Sequence, residues 1–197
     1  MNLSNQMFDV IKGDLEVLEQ GLQEAVTSTN DLVTEVGMHI VTSGGKRIRP
    51  ALCLLSARGG RAFDLPHVLP LAEALELIHT ASLVHDDVID EADTRRGAAT
   101  ANARWNNQVA ILSGDYIFAR AFTLIAEEGY DSYVSKRLAD LVCNLSVGEI
   151  IQDHAVYQAS RGMADYYERI QKKTADFLEI CCELGAMVGG MDREEMK

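Results

Sequence analysis

Apolar residues recur at spacings of three and four along most of this chain, as in Leu15, Leu18 and Leu22 and again in Leu71, Leu75 and Ile78. That is the period of one helix face, while the two-residue alternation of half-buried strands is scarce. The pattern predicts an all-α protein with helices over 3–20, 30–43, 48–59, 66–90, 105–127, 131–157 and 163–189. Asp64 and Asp131 stand where N-caps are expected, Pro50 and Pro66 occupy first-turn positions, and glycine pairs at 44–45 and 59–60 follow helix ends. Long helices joined by short turns imply an antiparallel helical bundle, a fold that places metal and ligand sites on inward faces. No repeat, low-complexity tract or linker divides the sequence, so 1–197 reads as a single domain.

Composition then narrows the function. With 197 residues, 47% of them hydrophobic and 24% charged, the chain is long and apolar enough to bury one sizeable core. No window reaches the eighteen or so uninterrupted apolar residues of a transmembrane span, and residues 1–15 lack the basic start and apolar run of a signal peptide. The expected location is cytoplasmic. Cys53, Cys143, Cys181 and Cys182 lie in apolar company without zinc-ligand spacing, which predicts reduced thiols. A net charge of −12 argues against nucleic acid as a partner, since such binding rests on a basic surface. The few cationic islands, Lys46-Arg47 with Arg49, Arg95-Arg96 and Lys172-Lys173, are therefore candidates for binding discrete anions.

Two constellations carry chemistry. In Asp86-Asp87-Val88-Ile89-Asp90 the outer aspartates are four apart, which places them on one helix face with Cβ atoms about 5–6 Å apart. The run follows a long apolar segment, so it falls toward a helix C-terminus, where negative charge is disfavoured. A cation between Asp86 and Asp90 relieves both conflicts. Hard oxygen ligands suit Mg²⁺, which is commonly held by one or two carboxylates plus substrate phosphates. Arg95 and Arg96 follow at once and can grip the same phosphates. His79 lies two turns earlier on the same stripe. The second constellation is Gly44-Gly45-Lys46-Arg47-Ile48-Arg49-Pro50, a glycine turn entering a helix with three cations at its start. Cations there oppose the helix dipole and call for a compensating anion, most simply a phosphate group.

These residues, taken with Ile78 to Gly97, Gly114-Asp115, Gly148-Glu149 with Gln152, and Lys173-Thr174-Ala175, strongly resemble the trans-type polyprenyl diphosphate synthases, in family order over essentially the whole chain. The resemblance implies the isoprenoid-synthase bundle and a homodimer. It implies condensation of isopentenyl diphosphate with an allylic diphosphate by ionisation, condensation and elimination. Lys46, Arg49, His79 and Arg96 would bind the isopentenyl diphosphate. Asp86 and Asp90 would hold Mg²⁺ against the allylic diphosphate, with Arg95 and Lys173 adding charge, and Thr174 would offer its hydroxyl to the developing cation. Short-chain members often carry bulky aromatics four or five residues before the first aspartate. Small Ala81 and Ser82 stand there, which implies an open tunnel and a medium-to-long prenyl product, as in synthases of quinone side chains.

The family's second aspartate-rich motif is not found after Thr174, where Asp192, Glu194 and Glu195 form only a short acidic run. The expectation is a bundle truncated on its C-terminal side, with weak diphosphate binding and little condensation. A fragment of a synthase and a noncatalytic subunit are the two readings of such a chain; retention of Lys46, Arg49, Asp86, Asp90, Arg95, Arg96, Lys173 and Thr174 favours the fragment. A metal phosphohydrolase using His79, His85, Asp86 and Asp90 is a remote alternative that leaves residues 44–50 without a role.

Overall fold

The computed structural model describes residues 8–155, 162, 163, 167, 170–192 and 194, with the side chains of 154, 155 and 173 outside that description. The helices are α1 (Lys12–Ala25), α2 (Asp31–Thr42), α3 (Ile48–Arg58), α4 (Leu65–Ile89), the short α5 (Ala101–Arg104), α6 (Asn107–Glu128), α7 (Ser132–Ala155) and α8 (Asp176–Val188). A π-helical turn, Gln171–Ala175, leads directly into α8. The all-α bundle predicted from the apolar period is the observed architecture.

The bundle is built around α4. Every residue from Leu71 to Ile78 is buried, polar Glu73 and Glu76 included, and a helix enclosed on all sides is a central one. It packs against α6, α3, α1 and α8. Leu71, Leu75, Leu77 and Ile78 are fully buried, and each such side chain stabilises the fold by roughly 1.5–3 kcal/mol. Helices α3 and α8 approach most closely through glycines. A Cβ on Gly185 would collide with the backbone of Cys53, and one on Gly189 with that of Ala57.

Helix starts follow local chemistry. The side chains of Asn30, Thr100 and Asn106 accept from backbone N–H groups of α2, α5 and α6. Asp131 accepts from the Tyr133 N–H at 2.8 Å. Asp64 occupies the N-cap position of α4 but makes no side-chain cap bond.

Three expectations change. The first helix does not stop at residue 20, because α1 continues through Gly21 to Ala25. Glycine there breaks no helix; it leaves room for the Glu73 carboxylate of α4, with which a side chain would collide. The start predicted at residue 3 and the end predicted at 157 lie outside the described residues. The second change is a two-residue antiparallel hairpin, β1 (Thr94–Arg95) and β2 (Ala98–Ala99), in the connection between the helices predicted over 66–90 and 105–127. Its turn residues Arg96 and Gly97 have φ of 52° and 84°, the pair of left-handed residues that matches the twist of a tight hairpin. The third is α6, which is long and apolar enough to cross a membrane by length and composition alone. Polar residues interrupt its sequence, so a search for an unbroken apolar run misses it. Its Ala110, Ile117, Ala121 and Ile125 are buried, and α4 is its principal neighbour.

Candidate active site

The acidic run closes α4. Asp86 and Ile89 belong to the last turn and Asp90 is the C-cap residue, its N–H bonded to the Asp86 carbonyl. The three aspartates meet different fates because neighbouring positions on a helix differ by about 100°. Asp86 borders a cavity of about 650 Å³ and Asp90 is exposed. Asp87 turns to the other side, is 6% exposed, and receives Arg95 Nε and Nη2, each at 2.7 Å. That bond moves the Arg95 guanidinium pKa up against the opposing effect of burial, with the charges of Asp87, Asp86 and Asp90 adding to it. Arg95 is thus anchored to α4 instead of reaching freely for a phosphate. Asp87 is a residue that the sequence reading left without a role; an aspartate one position from Asp86 on the apolar side of α4 was the available signal.

The glycine turn divides its cations in the same way. Lys46 is exposed, Arg47 is buried and Arg49 is half-buried. Arg47 adopts a left-handed backbone, φ 49°, and its guanidinium turns inward. It bonds Glu19 at 2.5 Å, Glu76 at 2.9 Å and the Val41 carbonyl at 2.8 Å. The Glu19 bond raises the Arg47 pKa against the opposing effect of burial. Burial pushes the Glu76 carboxyl up, against the pull of Arg47. Arg47 therefore belongs to the core. Arg49 lines the cavity with its guanidinium carbon 4.6 Å from the centre of the Phe177 ring. Its Nε is buried without a partner among the described residues, an arrangement that costs free energy unless an acceptor arrives.

Arg96 closes the gap between the two constellations. Its Nη1 donates to the Gly44 carbonyl, tying the hairpin to the glycine turn. A smaller space of about 50 Å³ lies among Gly44, Glu76, His79, Asp87, Arg95 and Arg96. His79 and Leu83 border both this space and the large cavity. Burial first, then the charges of Arg49, Arg96, Arg95 and Arg47, depress the His79 pKa to about 3, so the ring is neutral near pH 7 and can donate from one nitrogen. Its edge meets Phe177 with ring centres 6.1 Å apart.

The large cavity has an apolar wall made by Leu83, Phe118, Val142 and Leu145. Ser82 borders it, whereas Ala81 is fully buried in the core, so only one of the two tunnel positions faces the space. Thr174, in the π turn, lines it beside Phe177; π turns inside helices are frequent at functional sites. Lys173 shares that turn, its side chain outside the described residues. Glu149 and Asp153 of α7 also line the cavity, and neither was assigned a role from the sequence. One border is thus acidic, another cationic, and an apolar pocket runs between.

Asp86 and Asp90 bring two carboxylates to the negative end of α4, where a positive ion would offset both charge and dipole. Among the described residues they belong to no group of three or more His, Cys, Asp or Glu side chains placed to hold a metal, so further oxygen ligands would come from the substrate. Fold and site together define an α-helical protein in which carboxylates and the Arg49 guanidinium border one apolar chamber. Residues 30–197 match the family model Polyprenyl synthetase, and the chain belongs to that family, not to the metal phosphohydrolases. It is 42% identical over 184 residues to heptaprenyl diphosphate synthase component 2 of Geobacillus stearothermophilus, covering 93% of this chain and 57% of that protein. The crystal structure of polyprenyl synthase from Caulobacter crescentus, complexed with calcium and isoprenyl diphosphate, superposes with TM-score 0.92 at 31% identity, over 98% of this chain and 58% of that one. A decaprenyl diphosphate synthase from Rhodobacter capsulatus gives TM-score 0.92 at 34% identity, over 98% and 59%. The chain therefore spans somewhat more than half the length of these relatives.

Proposed function

We propose that the reaction this site serves is the condensation of isopentenyl diphosphate with an allylic diphosphate to form a medium-to-long polyprenyl diphosphate, with little turnover by residues 1–197 alone. The observation that carries the reading is Arg49, a cation whose buried Nε has no partner among the described residues, lining the same cavity as neutral His79 and the carboxylate of Asp86. Arg49, His79, Arg96 and exposed Lys46 receive the isopentenyl diphosphate. Asp86 and Asp90 would hold Mg²⁺, which when bound neutralises charge on the allylic diphosphate. The allylic C–O bond breaks with its electron pair leaving on the diphosphate, the isopentenyl double bond attacks the cation, and the new cation passes a proton from the adjacent carbon to an oxygen of the released diphosphate. Leu83, Phe118, Val142 and Leu145 keep water from the cation, the Thr174 hydroxyl stands at its side, and Lys173 adds positive charge. Arg95, fixed by Asp87, contributes field at the allylic group.

The test is equilibrium binding of a nonionisable allylic thiodiphosphate with and without Mg²⁺. Affinity that rises with Mg²⁺ supports the reading; affinity indifferent to Mg²⁺ overturns it. Incorporation of labelled isopentenyl diphosphate then measures turnover and product length. Phe118, half-buried and packed on His85 with ring centres 5.7 Å apart, narrows the apolar wall. Its replacement by alanine should let the protein bind longer prenyl diphosphates more tightly than the native chain does and shift any product toward greater length, as read by chromatography. We further propose a homodimer in the cytoplasm, with the exposed Ile111 and Leu112 of α6, 43% and 58% accessible, as part of the contact.

A further inference from the structure

Away from the prenyl cavity, a cleft of about 290 Å³ lies between α1, α4 and α6, bordered by Gln20, Gly21, Glu24, Glu73, Arg120 and Leu124. Its construction is unfavourable at two residues, Glu73 and Gly21. Glu73 is 6% exposed, and no described residue gives it a hydrogen bond or ion pair, although buried carboxylates are ordinarily paired. Burial, then the Glu24 charge, raise its pKa to about 7. Gly21 sits in mid-helix, where glycine is destabilising relative to alanine, and any side chain there would collide with the Glu73 carboxylate.

Arg120 supplies the opposite charge without relieving the first. Its Nε donates to the Ala25 carbonyl at 2.8 Å, while its Nη groups have no bond among the described residues. Carboxylate and guanidinium thus border one cleft unpaired. A lone anion would be repelled by Glu73 and Glu24, and a lone cation by Arg120. A molecule carrying both charges satisfies all three side chains, and Val17, Leu69 and Leu124 offer apolar contact for a short stem. The space exceeds the roughly 30 Å³ share of one liquid water several-fold.

We propose that this cleft binds a small zwitterion of the amino-acid class, its ammonium received by Glu73 and Glu24 and its anionic group by Arg120. The site is separate from the prenyl chamber and does not rest on the reading of that chamber. The experiment follows backbone amide shifts of Gly21 and its neighbours during titration with L-leucine, 3-methylbutylammonium and 4-methylpentanoate, which share one stem and differ in charge. Leucine should give saturable shifts, and each singly charged analogue should bind at least about tenfold more weakly, since one charge-assisted contact is lost. Glu73→Gln replaces an unpaired buried carboxylate with a neutral group of the same shape, so the fold persists, and leucine binding should be lost. In the native protein the Glu73 pKa, followed by carboxyl carbon shifts, should fall when leucine binds. Absence of saturable shifts with leucine, equal affinity for the amine alone, or binding unchanged by Glu73→Gln would each overturn the proposal.

Discussion

Replacing Arg47 by methionine should destabilise the protein by about 3–5 kcal/mol, the cost of leaving one member of a buried ion pair alone. The partner left behind is Glu76, only 3% exposed in the middle of α4, held by Arg47 Nη1 at 2.9 Å. The Glu19 contact adds little to this figure, because Glu19 is 42% exposed and water replaces much of what it loses. Chemical denaturation measures the change. Its pH dependence gives a second reading with a definite sign. Burial already raises the Glu76 pKa, and without Arg47 it rises further. A folded-state acid with a raised pKa binds more protons than the unfolded chain, so the variant should lose stability as pH rises through that pKa and regain it on acidification. The double variant Arg47→Met with Glu76→Leu should recover most of the loss, because removing both charges removes the unpaired group. A single variant as stable as the native protein at pH 7 would show that the pair is not structural.

Asp86→Asn carries the largest expected functional effect. Asparagine keeps the shape and leaves the carbonyl oxygen, so packing at the end of α4 is preserved, but the charge that would hold the metal is gone. Mg²⁺ should then fail to raise affinity for an allylic thiodiphosphate, and prenyl transfer should fall by at least about a hundredfold, the scale set by removing one charge-stabilising group from an active site. Asp87→Asn tests the division between neighbours. It loosens Arg95, because the carboxylate that fixes the guanidinium is replaced by a neutral amide. Its deficit should therefore appear in stability as well as in binding. Denaturation curves with and without Mg²⁺ and the thiodiphosphate separate the two roles: the pair of ligands should raise the midpoint of the native protein and not that of Asp86→Asn, and an Asp87→Asn variant as stable as the native protein would contradict the anchoring role.

Much of the fold was legible because helices are written locally. The apolar period located the described ends of α2, α3, α4, α6 and α7 and the end of α8 within a few residues, and the cap expected at Asp131 is a short-range hydrogen bond, whereas Asp64 makes none. The hairpin at 94–99 escaped notice for a physical reason: two residues per strand are too few to show alternation, and its left-handed corner is taken by Arg96, whose position is secured by the Gly44 carbonyl fifty-two residues away. The end of α1 escaped notice because Gly21 signals a break locally and a close approach tertiarily.

The chemistry divides along the same line. By itself the sequence determined that carboxylates stand at the C-terminal end of a long helix and cations at the start of another, and that both arrangements need a counter-ion, since spacing and helix dipole are local properties. Which charges remain available for a ligand was decided only by the tertiary structure. Arg47 and Arg49 are two residues apart, yet one is spent on Glu19 and Glu76 and the other borders the chamber with an unsatisfied Nε. Asp86 and Asp87 are adjacent, yet one faces the cavity and the other fixes Arg95. Pairing and burial depend on residues brought together from distant parts of the chain, and a buried charge is available to a ligand only when no such residue has already satisfied it.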